Sequence, residues 1–85
     1  MLFENVCKIL DVAKEKEVDI LVARDMVIND NKENKEEIKK ASEVIETYYK
    51  FVTACRVAGD EGSINKLCDL YEAGDKEAIA DLIKE

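Results

Sequence analysis

Apolar residues recur along the first third of the chain in alternating steps of four and three. Leu2, Val6, Ile9, Ala13, Lys16, Ile20, Ala23 and Val27 fall on one line, which only Lys16 interrupts. Such steps share one face of a helix that turns once every 3.6 residues. No Gly or Pro occurs between Leu2 and Ile28. The pattern predicts either one long helix or two helices with a bend near Lys14–Asp19, where Asp19 can cap the second piece. A strand competes over Val18–Ile28, where β-branched residues are frequent. Poor alternation, with Arg24-Asp25 in mid-run, favours the helix.

Residues 29–34 are polar and read as a loop, with Asn31 or Asn34 as the next N-cap. Residues 35–58 carry the clearest helical signal. Ile38, Ala41, Ile45, Tyr48, Val52 and Cys55 form the main stripe, and Val44, Phe51 and Ala58 flank it at seven-residue spacing. On the polar side Glu36–Lys39, Glu36–Lys40 and Glu46–Lys50 stand at ion-pair spacing. Gly59 is placed to end this helix. Ser63 then reads as an N-cap, Gly74 as a second helix stop, and Asp75 as the cap of a last helix containing Ala78, Ile79, Leu82 and Ile83. The expected fold is all-α, with three to five helices. It is a small helical bundle built on a long antiparallel helical hairpin, with two short C-terminal helices. Residues 1–85 read as a single helical domain.

Composition narrows the function classes. With 47% hydrophobic residues, the chain has the apolar content of a folded domain. No apolar run nears the ~18 residues of a membrane span, and Glu4 opposes a signal-peptide reading. The net charge is −7 and is unevenly spread. Residues 1–30 net −3, residues 31–58 net +1, and residues 59–85, with eight acids against three bases, net −5. The acidic end repels phosphate and disfavours nucleic acid, while it suits a basic partner.

The absence of His removes every Ser-His, Cys-His and His-metal arrangement within the chain. Cys7, Cys55 and Cys68 are widely spaced, contain no CxxC pair and lie on or beside apolar stripes. They read as reduced, buried thiols of a cytoplasmic protein. A calcium loop started at Asp30 has Lys35 where Gly is needed and Ala41 where Glu is needed. No phosphate-binding glycine loop or nucleophile elbow occurs. The expectation is a non-enzymatic protein with no cofactor and no metal.

The helices also carry more apolar faces than one hairpin can bury. Phe3, Leu10, Leu21, Val22, Met26 and Ile28 lie outside the first stripe, and Val44, Tyr49, Phe51, Val57 and Ala58 outside the second. A monomer seldom exposes a large contiguous apolar patch, so self-association as a homodimer is expected. The leading reading is a protein–protein interaction module, homodimeric, with an acidic face for a basic partner. Tyr49, Asp69, Glu72 and Asp81 are its candidate partner-binding residues. In composition, though not in motif, the chain is similar to many phage or mobile-element accessory proteins. An alternative is therefore a small acidic inhibitor that blocks a nucleic-acid-binding protein. A second alternative is a helix-turn-helix regulator using residues 12–28, although that segment offers only Arg24 against Asp19 and Asp25.

Overall fold

The computed structural model describes residues 2–84. Six α-helices follow one another: α1 (Leu2–Lys16), α2 (Ile20–Asp30), α3 (Lys35–Thr47), α4 (Tyr49–Ala58), α5 (Glu61–Ala73) and α6 (Lys76–Ile83). A short 3-10 turn at Lys32–Asn34 precedes α3. Among the described residues there is no strand, so the strand alternative for Val18–Ile28 falls. The helix count exceeds the three to five expected, because both long arms of the expected hairpin are divided.

The first division follows the expected cap. α1 ends with Glu17 in the left-handed region at φ 54°. The Val18 amide then donates to the Ala13 carbonyl at 3.1 Å, the closing bond of a Schellman turn. Val18 packs against the core, as the residue after such a turn often does. Asp19 caps α2, with Oδ1 accepting from the amides of Leu21 at 2.8 Å and Val22 at 3.2 Å. A left-handed non-glycine residue costs ~1–2 kcal/mol, so packing of α2 on the core must offset it.

The second division corrects the sequence reading of 35–58 as one helix. Tyr48 leaves helical geometry at φ −113° and ψ 36°. Bonds from the Tyr48 amide to the Val44 carbonyl and from the Val52 amide to the Tyr48 carbonyl bracket the break. No Gly or Pro stands there. The Tyr48 ring meets Tyr71 edge-on, with centroids 6.5 Å apart and planes at 81°, an arrangement favoured by the ring quadrupoles.

Gly59 and Gly74, at φ 75° and 74°, end α4 and α5 as expected, and Asp75 caps α6 by accepting from the Ala78 amide at 3.1 Å. The start of α5 differs from expectation. Asp60, not Ser63, is the cap, and Ser63 donates both its amide and its hydroxyl to the Asp60 carboxylate at 3.1 and 2.6 Å. Asn34 stands at the head of α3 without a side-chain capping bond.

α1, α2 and α3 pack pairwise on one another, and α5 packs on α1, α4 and α6. Val6, Ile9, Ala23, Ile38, Ile45, Val52, Ile64 and Leu67 lose all exposure in the shared core. Each larger aliphatic chain so buried contributes ~1.5–3 kcal/mol. Val44, expected among the surplus apolar residues, is also fully buried. A straight helix over residues 2–28 would be about 40 Å long. The whole molecule measures 35 × 25 × 17 Å. No helix among the described residues is long and apolar enough to cross a membrane.

Candidate functional site

Six large apolar residues of the described chain are exposed. They are Leu21 (45% exposed), Val22 (41%), Met26 (37%), Tyr49 (54%), Val57 (85%) and Ile83 (36%). Leu21, Tyr49 and Val57 line one groove between α1, α2 and α4, together with Leu10, Ala13 and Ile20. This first groove encloses about 530 Å³. Its charged side chains are Lys14, Asp19 and Arg56.

Arg56 is held by two carboxylates. It pairs with Asp11 of α1 and, at 3.0 Å, with Glu61 of α5. The side chain is 28% exposed, so each pair is screened and contributes ~1 kcal/mol at most. Position is the larger effect, because the guanidinium ties α1, α4 and α5 at one point. Sequence reasoning could not find this tie. Asp11 and Arg56 are 45 residues apart, and no local spacing connects them. The helical pairs expected on α3 and α4, Glu36–Lys39, Glu36–Lys40 and Glu46–Lys50, are not among the ion pairs formed by the described residues.

A second groove of about 900 Å³ lies between α4, the start of α5 and the end of α6. Its apolar wall includes Tyr48, Tyr49, Phe51, Ala54, Leu82 and Ile83, and its charged lining is Glu46, Lys50 and Asp60. Two hydrogen bonds from Ser63 hold the Asp60 carboxyl below the usual aspartate range. Tyr49 therefore lies between the two grooves and lines both.

Of the four expected partner-binding residues, Tyr49 is exposed and lines both grooves. Asp81 is exposed on α6, immediately before the groove residues Leu82 and Ile83. Asp69 and Glu72 are exposed on α5 and line neither groove. Phe51, Ala54, Leu82 and Ile83 were not singled out as site residues. Their gathering depends on the break at Tyr48, which the sequence does not announce.

The three thiols are free. Cys55 and Cys68 are buried, and Cys7 is half-buried. Burial pushes the Cys68 thiol up to about 12, with smaller upward contributions from Cys7, Asp69 and Glu72. Burial also raises Cys7, against the opposing pull of the neighbouring Arg56 guanidinium. Burial raises Cys55 too, with Asp60 adding to it. All three thiols are therefore protonated at neutral pH and weak as nucleophiles. α2, which would read DNA in the helix-turn-helix alternative, exposes Leu21, Val22 and Met26, and its single Arg24 bonds to Asp25 at 3.0 Å.

Fold and surface define a small all-helical bundle with two apolar grooves flanking one exposed tyrosine. Compared with known protein families, characterised proteins and solved structures, the chain matches none.

Proposed function

We propose that this protein is a non-enzymatic interaction module that pairs with a second copy of itself and presents an acidic face to a basic protein. The observation that carries the reading is the convergence of Leu21, Tyr49 and Val57, three exposed large apolar side chains, on the first groove. Water-exposed apolar surface of this kind gains free energy when it is covered. The charges around it suit a second copy. Lys14 and Asp19 stand in the same groove, and a two-fold axis can set the Lys14 of one protomer against the Asp19 of the other. Arg56 is already paired with Asp11 and Glu61.

The acidic face lies in the last third of the chain, with Asp69, Glu72 and Asp81 exposed. Electrostatic steering by such a face speeds encounter with a basic partner and weakens as salt rises. Three unpaired thiols support the reading of a module that works in a reducing compartment such as the cytoplasm.

Light scattering over a concentration series tests the self-pairing. The expected result is a concentration-dependent dimer that Leu21→Asp or Val57→Glu converts to monomer. A chain that stays monomeric throughout the series ends the dimer reading.

A further inference from the structure

The second groove is large enough, and charged in the right sense, to specify its occupant. One turn of α-helix, ~5.4 Å long and ~10 Å across, fills ~400 Å³. The groove encloses about 900 Å³, room for roughly two turns. Its walls are apolar, supplied by Tyr48, Tyr49, Phe51, Ala54, Leu82 and Ile83. Its charged lining is two carboxylates, Glu46 and Asp60, and one ammonium, Lys50. Asp81 adjoins the α6 end of the wall, and residues 59–85, which supply α5 and α6, net −5.

An apolar trough with an anionic border selects an amphipathic helix, whose apolar face enters the trough while cationic flanks meet the border. We infer that the groove between α4, α5 and α6 binds a Lys/Arg-flanked amphipathic helical segment of another protein. The two carboxylates that line this groove repel nucleic acid and an anionic membrane. This inference rests on the interaction-module reading and names the partner of its acidic half.

The test is fluorescence anisotropy with a labelled 14-residue synthetic helix. Its Leu residues are spaced i, i+3, i+4, i+7 and its remaining positions are Lys. A matched peptide carries Glu in place of Lys. The Lys peptide is expected to bind saturably, at least tenfold more tightly than the Glu peptide, and to weaken as salt rises. Ala54→Arg, at an exposed position of the wall, fills the trough, and Glu46→Lys reverses its border. Each is expected to weaken the Lys peptide at least tenfold while leaving the helical circular dichroism unchanged. Val57→Glu, in the first groove, is expected to leave the peptide affinity within about twofold.

Equal binding of both peptides, no binding of the Lys peptide, or indifference to Ala54→Arg overturns the inference. So does a loss of peptide binding caused by Val57→Glu, which would place the peptide in the first groove. The two readings fail separately. A dimer that dissolves on Val57→Glu but ignores the peptide removes only the helix-binding groove. A monomer that binds the Lys peptide removes only the self-pairing.

Discussion

The two grooves share the Tyr49 side chain as a wall, and both are lined mainly by apolar residues, but they treat charge differently. The first groove is lined by two cations, Lys14 and Arg56, and one carboxylate, Asp19, and its Arg56 is paired with Asp11 and Glu61. In the second groove Glu46 and Asp60 outnumber Lys50, and the flanking helices add further carboxylates. Apolar area alone says that each surface gains by being covered. Residual charge says by what. On the proposed reading, the groove lined by two cations and one carboxylate suits an acidic chain better than the groove lined by two carboxylates and one cation.

Substitutions confined to one groove sharpen the contrast. The largest effect is expected from Val57→Glu, which sets a charge at the most exposed apolar residue of the first groove. A central interface position of this kind is worth ~2 kcal/mol or more, so the dimer dissociation constant should rise ~30-fold or more. Sedimentation equilibrium measures it, and an unchanged constant would place the interface elsewhere.

Arg56→Ala removes one of the two cations that line the first groove. It leaves Asp11 and Glu61 unpaired beside the first groove, and ~1 kcal/mol of stability is expected to be lost with the exposed pairs. Self-association should then become weaker at low salt than at high salt, the reverse of an attraction between opposite charges. Urea denaturation and low-salt light scattering read the two effects, and a dimer insensitive to salt in this variant contradicts the role given to Arg56.

Asp19→Ala removes the cap of α2, which carries one wall of the first groove, at a cost of ~1 kcal/mol. Amide exchange at Leu21 and Val22, whose N–H groups bond to that carboxylate, should quicken while α5 and α6 keep their protection. Equal quickening in all of these helices would mean that the halves open together.

A smaller effect is expected from acid, and it falls on the second groove. Ser63 holds the folded-state pKa of Asp60 below the unfolded-state value of ~3.9. The stabilisation this represents is complete above the unfolded value and is lost as pH falls through the folded value. The start of α5 should therefore be indifferent to pH between ~7 and ~5 and begin to fray only below ~4. A carbon-13 titration of the Asp60 carboxyl should show a midpoint below that of a model peptide. A midpoint at or above it contradicts the capping role.

Much of the fold was legible where the cause was local. Gly59, Gly74, Asp19 and Asp75 each stop or start a helix through their own backbone freedom or side-chain oxygen, and each does so here. Residue type alone does not separate Asp60 from Ser63, since both are good caps. Only the geometry shows Ser63 as the donor and Asp60 as the acceptor. The break at Tyr48 was hidden because its observed partner, Tyr71, lies 23 residues away in sequence and no breaker marks the spot. Both grooves inherit that difficulty, since α4 contributes a wall to each. Tyr49 could be singled out as an aromatic off the main stripe, whereas the residues it would meet could not. The surplus of apolar faces was also visible in the pattern, and it remains exposed at Leu21, Val22, Met26, Tyr49 and Val57.

The turn at Glu17 bears on how this chain reaches its native state. It lets α2 lie against α1 after only three connecting residues, and Asn31–Asn34 separate α2 from α3 by four. The first three helices can thus find one another by closing short loops, at a small entropic cost and on the submicrosecond timescale of such closures. Helical bundles of low contact order fold in microseconds to milliseconds. Core substitutions in α1–α3 that slow folding in temperature jump, beside substitutions in α5 and α6 that mainly speed unfolding, would identify the α1–α3 assembly as the part of the chain that forms early. The two grooves would then appear late, when α4 and the last two helices settle onto a core already in place.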